Sequence, residues 1–214
     1  ELASDAMDNP ALWLAACLVR TPAEIGFKDK FLVDSAELLG FGDWVEQLVA
    51  ESTGKEDLGT LPVVVSASAP ELAKPASDVL VTRFANRDTQ SEDVTFFGEL
   101  GELFLLWEYA TAIAGYLLGI NPFDQPNVES AKVAARELLD SPAEVSDPDF
   151  TDRGVAANAY GFELTAQTVD SALEQLLSLA NQSSYISIHA YLNREAYPQF
   201  EELRNLIAAK TSRP

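Results

Sequence analysis

The chain has 214 residues, 14 of them Lys or Arg and 34 Asp or Glu, which gives a formal charge of −20 with its single histidine neutral. So acidic an exterior offers no cationic footprint to phosphate backbones or anionic headgroups, which argues against nucleic acid and membrane surfaces as partners. With 47% hydrophobic and 22% charged residues the composition is that of a globular protein able to bury a core, at the length of one ordinary domain or slightly more. Cys17, the single cysteine, permits neither an internal disulfide nor a cysteine-built zinc site and fits a reducing compartment, so a cytoplasmic protein is expected. The opening Glu1-Leu2-Ala3 lacks an initiator, and the only methionine is Met7; with no basic, apolar leader and no cleavage pattern, the chain reads as a piece of a longer polypeptide.

In chain order, a helical pattern over residues 10–19 is followed by a Val- and Phe-rich apolar run at 31–33, of the kind that forms a buried strand. A helix is predicted over 43–51, with Asp43 as N-cap and Gly54 as its stop, and strands over 61–66 and 79–84. The most apolar stretch, 99–120, is long enough to span a bilayer, but Glu99, Glu102 and Glu108 would each cost about 2.5 to 3.5 kcal/mol there. It is predicted to be a helix buried within protein and stopped by Gly119. Further helices are predicted over 126–139, 165–179 and 198–210, a strand over 185–192, and a long acidic loop over 140–161 that is surface decoration or a lid. Strands separated by helices of this length are the pattern of βαβ units, so the expected fold class is α/β, a three-layer αβα sandwich with a mostly parallel sheet. The last residues, 208–214, close a helix where a further strand would be due, so the domain is expected to be incomplete.

Three constellations bear on chemistry. Gly54-Lys55 is not a phosphate-binding loop, since Val49 and Glu56 stand where that motif needs a glycine and a hydroxyl. In the segment Trp44 to Lys55, Gln47 and Glu51 are four residues apart and share a helix face. Glu51 falls in the last turn, where the negative end of the helix dipole disfavours an ionised carboxylate and so suits it to accept a proton. Spacing alone is equally compatible with a solvated glutamate at a helix end. In Asn121-Pro122-Phe123-Asp124-Gln125-Pro126-Asn127-Val128-Glu129-Ser130-Ala131-Lys132, Pro126 suits the first helical position and Gln125 the cap. Lys132 lies two turns on, about 10 Å along nearly the same face. An amide and an ammonium so placed can span a small phosphorylated ligand, or be ordinary capping beside an exposed lysine. His189, in the predicted last strand, has no companion ligands and reads as a packed residue, so no metal is expected.

The run Gln47-Leu48-Val49-Ala50-Glu51-Ser52-Thr53-Gly54-Lys55 resembles the signature of the glucose-6-phosphate isomerase family, Gln, three residues, then Glu-Ser-x-Gly-Lys. Phe123-Asp124-Gln125 with Val128-Glu129 and Lys132 is similar to that family's second signature, and both keep their internal spacing. The flanking Gly40 to Trp44 and the run from Leu105 to Pro122 are similar to actinobacterial members, including a form fused behind a transaldolase. The resemblance implies a flavodoxin-like sugar-isomerase (SIS) domain, residues 1–214 forming the second of two and truncated at both ends, with an active site completed by the first domain of its own chain and by a homodimeric partner. It implies interconversion of glucose 6-phosphate and fructose 6-phosphate with no cofactor. Glu51 matches the base that moves a proton between C1 and C2 through an enediol, Gln47 and Gln125 match substrate-side amides, and Lys132 matches the lysine of ring opening and charge stabilisation.

The departures carry equal weight. The family's His-Ser-x-Gly-Gln segment, which helps open the sugar ring, has no match here, and His189 has the wrong context. The phosphate cradle and catalytic arginine of the first domain also lack counterparts. The piece alone is therefore expected to be inactive. Two other readings stay open on sequence grounds, a non-catalytic SIS module that binds a sugar phosphate to regulate, and an oligomerisation domain using the 99–118 helix.

Overall fold

The computed structural model describes residues 8–19, 29–85, 94–141, 147–193 and 196–214; the reading of the first residues to Met7 and residues 142–146 of the predicted acidic loop lie outside them. The chain divides into two compact units, residues 1–133 and 134–214.

The first unit opens with α1 (Pro10–Val19), whose start is capped by the Asn9 side-chain oxygen, accepting from the N–H groups of Ala11 at 3.0 Å and Leu12 at 3.4 Å. Then follow β1 (Lys30–Asp34), α2 (Phe41–Thr53), β2 (Leu61–Val65), a single 3-10 turn (Pro70–Leu72), β3 (Val79–Phe84), β4 (Val94–Phe96), α3 (Leu100–Leu118) and the beginning of α4 (Pro126–Asp140). The strands form one four-stranded sheet in the order β2-β1-β3-β4, parallel throughout, with Val33 of β1 level with Val64 on one side and Thr82 on the other. Parallel strands need both faces covered, and the alternation along β1 supplies them. Phe31 and Val33 point into a core with Leu14 and Leu18 of α1, Val45 and Val49 of α2, and Leu103 and Trp107 of α3. Leu32 points the other way, with Val79 and Val81, against Ala69 and Leu72 around the 3-10 turn. This is the expected α/β sandwich in three layers, one outer layer of helices and one thin layer carried by the turn. Trp107 is fully buried, with ring centroids 5.3 Å from Phe96 and 5.9 Å from Phe31 and from Phe84.

The second unit carries an antiparallel hairpin, β5 (Phe150–Asp152) and β6 (Val155–Ala157), then α5 (Val169–Ser178) and α6 (Gln199–Thr211). Arg153 and Gly154 form its two-residue turn with φ of 50° and 82°, the left-handed pair that suits the twist of a tight hairpin. Asp152 accepts from the N–H of Val169 at 3.0 Å, and Arg153 reaches Asp170 at 2.9 Å, which fastens the hairpin to the first turn of α5.

Several expectations are corrected. Residues 185–192 form no strand; among the described residues the one inter-segment backbone bond along them is Ile186 N–H to the carbonyl of Pro214, and an apolar run that pairs with no ladder there stays irregular. His189 is exposed there rather than packed, its ring 2.8 Å from the Ser187 hydroxyl. The predicted loop over 140–161 contains the β5–β6 hairpin. Helix α2 begins at Phe41 and not after Asp43, because Gly40 takes the left-handed conformation (φ 80°) and lets the Phe41 ring enter the core against Phe84 and Phe104. Strand β4 has no counterpart among the predicted elements. Helix α3 ends at Gly119 as expected (φ 75°), but only one face is buried, with Tyr116 82% and Leu117 52% exposed. Among the described residues no helix is long and apolar enough to cross a membrane.

Candidate active site

Helix α2 leads away from the carboxyl end of β1, so its last turn, carrying Glu51, returns toward the opposite end of the sheet, where Lys55 and Thr60 enter β2. The turn is fixed from inside. Thr53 donates to the carbonyl of Val49 at 2.8 Å, and Gly54 ends the helix with its N–H on Ala50. Glu51 is thereby left half-buried on the outer face, one turn beyond Gln47.

Both oxygens of Glu51 accept amide hydrogen bonds. The side-chain N–H of Gln47 donates to one at 3.3 Å, and that of Gln125, 74 residues away in sequence, donates to the other at 2.9 Å. Gln125 stands at the head of α4, its carbonyl accepting from Glu129. Its approach is set by the turn before it: the ammonium of Lys55, only 3% exposed, donates to the carbonyl of Asn121 at 2.7 Å, to the carbonyl of Asp124, and to an Asp124 carboxylate oxygen at 2.8 Å. Asn127 adds a bond to the carbonyl of Gly54 at 3.0 Å. The hydrogen bond from Lys55, followed by its charge, holds the Asp124 carboxyl below the usual carboxylate range.

Beside this pair lies an open cleft of about 290 Å³ lined by Trp44, Gln47, Leu48, Glu51, Ser52 and Gln125. Trp44 and Leu48 give it apolar surface and the other four residues polar groups, the balance of a site for a small hydroxylated molecule. Lys132 is exposed on α4, and its ammonium pairs with Glu129 at 2.9 Å. That hydrogen bond, then the charge of Glu129, and at longer range the charge of Glu51, hold Lys132 protonated to higher pH than an isolated lysine. The structure thus brings together Gln47, Glu51 and Gln125, with Lys132 within electrostatic reach of the carboxylate. Among the described residues there is no group of three or more His, Cys, Asp or Glu side chains that could hold a metal ion.

The arrangement is a carboxylate positioned by two amides, with a cation at one side and a concave surface in front. Such a group can take a proton from carbon and return it to a neighbouring atom of the same ligand. Sequence comparison says which proteins carry similar text. The glucose-6-phosphate isomerase of Leptospira interrogans is 56% identical over 43 residues, 20% of this chain and 10% of that protein, and that of Heliobacterium modesticaldum matches with the same figures. The glucose-6-phosphate isomerase of Streptococcus equi subsp. zooepidemicus is 26% identical over a longer stretch, 56% of this chain and 37% of that protein. The chain is related to the glucose-6-phosphate isomerases. It spans about a tenth of the length of the first isomerases it matches and 37% of the streptococcal one. No protein-family model matches it.

Spacing within each signature named Gln47, Glu51, Gln125 and Lys132. It did not name Lys55, Asn121, Asp124 or Asn127, the groups that join the two signatures. Lys55 is 69 residues from Asp124, and no local pattern encodes a contact at that separation. The available signal was the run Glu51-Ser52-Thr53-Gly54-Lys55, in which a lysine directly after a helix-ending glycine returns toward the protein.

Proposed function

We propose that this chain supplies the proton-transfer half of a glucose-6-phosphate isomerase active site. In this reading the open-chain sugar phosphate lies in the cleft with C1 and C2 facing Glu51. The carboxylate takes the proton from C2 of the aldose, and the electron pair left behind forms the C1–C2 double bond of an enediol. Across the cycle the O2 proton moves to O1, the aldehyde oxygen that becomes a hydroxyl, as the C2 carbonyl forms, and the carboxylic acid of Glu51 returns its proton to C1, which yields the ketose. No metal or organic group enters this balance. Gln47 and Gln125 hold the carboxylate in register while it changes charge, and Lys132 offsets negative charge on the substrate side. The phosphate cradle, the catalytic arginine and the ring-opening histidine belong, on this proposal, to other parts of a homodimeric cytoplasmic enzyme, including a first SIS domain that precedes this second one.

The observation that carries the reading is the convergence on Glu51 of two amides, Gln47 from its own helix and Gln125 from 74 residues further on, each inside a stretch similar to an isomerase signature. An isomerase assay on the full-length protein that bears this chain, on its Glu51→Gln variant, and on the 214-residue piece tests it. Glu51→Gln is expected to lower kcat on the order of 10²-fold or more with substrate binding retained, and the piece alone to turn over little substrate. A variant with wild-type turnover would sink the assignment of the base. Tight binding of fructose 6-phosphate by the piece alone, with no isomerase activity in the full-length protein, would favour a regulatory binding module instead.

A further inference from the structure

We infer that Lys55, which does not line the cleft, is a positioning residue that sets the Glu51–Gln125 pair; the inference rests on the isomerase reading of that pair and deepens it. The ammonium of a lysine has three protons. Those of Lys55 have three acceptors, the carbonyls of Asn121 and Asp124 and the carboxylate of Asp124, all in one turn. No donor remains for a ligand, so Lys55 acts on the protein itself.

Burying an ammonium costs free energy that the same residue at the surface would not lose. Here the buried charge supplies three of the hydrogen bonds that tie the turn to the end of α2. Within the turn, Asn121 bonds the N–H of Phe123 and the second oxygen of Asp124, each at 3.1 Å, which shapes the turn but does not anchor it to the rest of the unit. The turn is anchored by Lys55 on one side and on the other by the contact of Pro122 with Gly115 of α3, and just beyond it Asn127 adds its single bond to the carbonyl of Gly54 at 3.0 Å. The Pro122 contact is so close that a Cβ at Gly115 would lie 2.7 to 2.8 Å from the Pro122 ring. Gln125 is the next residue after Asp124, itself exposed, and its amide meets Glu51 at 2.9 Å. The end of α2 therefore carries both the carboxylate and the lysine that brings the opposing amide to it. The signature glutamate and lysine, four residues apart, work as one device.

The test uses the full-length protein and two readouts, steady-state kinetics and amide hydrogen exchange of the peptide covering 121–127. Lys55→Met is expected to lower kcat about 10- to 100-fold while KM moves less than about threefold, because a displacement of the order of an ångström harms the transition state more than ground-state binding. Exchange at 121–127 should rise in step. Asp124→Ala, at an exposed position and with both carbonyl acceptors kept, should show a smaller loss of kcat in the same direction, and it decides the matter where Lys55→Met fails to fold. Wild-type kcat in a folded Lys55→Met or in Asp124→Ala, or a loss confined to KM, overturns the positioning role while an inactive Glu51→Gln leaves the isomerase reading intact. Wild-type turnover in Glu51→Gln overturns that reading, and with it the catalytic consequence assigned to Lys55.

Discussion

Trp107, Phe31 and Val33 of the first unit have no exposed surface, whereas Leu173, Leu176 and Leu203 of the second, on helices of ordinary length, remain 48, 47 and 41% exposed. Among the described apolar residues beyond 133, only Phe150, Ala208 and Pro214 are buried. The contrast has a simple origin. In the first unit a parallel sheet offers a broad apolar face, and α1, α2 and α3 each lay a stripe of leucine, valine or tryptophan on it. In the second, the two-stranded hairpin has three residues per strand and offers no such face. Its elements are held locally, by the Thr168–Ser171 capping box and by Asp152 on the start of α5. Burial specifies the first region, and hydrogen-bonded ends specify the second.

The sharpest way to break this contrast is Trp107→Ala. Loss of a fully buried indole packed among three phenylalanines should destabilise the first unit by about 3 to 5 kcal/mol, seen in urea unfolding and in exchange across residues 29–85 and 94–119. Equal loosening of 147–214 would show that the two regions are not held independently. Thr168→Ala removes the side-chain oxygen that accepts from the N–H of Ser171 at 3.2 Å. It should cost about 1 kcal/mol and raise exchange chiefly in α5, and an undetectable change would mean that burial matters more there than the exposures suggest.

The smallest effect concerns pH. The Asp124 carboxyl lies below the ordinary range because Lys55 hydrogen-bonds it. Its contribution is therefore fully present above the unfolded value, about 3.9, and is lost as pH falls through the lower folded value. Exchange protection at 121–125, corrected for intrinsic rates, should hold from neutrality to about pH 4 and decline only below it. A decline already at pH 6 would assign the turn's stability to another group. No comparable acid dependence is expected in the core around Trp107, which is apolar.

The elements legible in the sequence were those whose apolar residues recur at a helical or strand period over enough length: the helices α1 to α6, and the strands β1, β2 and β3. Those that escaped are short or depend on distant partners. Val94–Phe96 is a strand because it pairs with Thr82 to Phe84 and because Phe96 packs against Trp107, neither of which three residues can announce. The hairpin turn is Arg153-Gly154 where Asn-Gly or Asp-Gly would have signalled it, and the apolar run at 185–192 matched a strand pattern yet has no ladder to join.

The sequence by itself determined the α/β class, the excess of acidic charge, and the two short runs that carry Gln47, Glu51, Gln125 and Lys132, because periodicity and spacing are local properties of a chain. Only the tertiary structure decided that Gln47 and Gln125 converge on one carboxylate and that Lys55 turns inward to hold the opposing segment. Contacts between residues 69 and 74 apart exist once a core has brought two helix ends together, and no local pattern records which ends those will be.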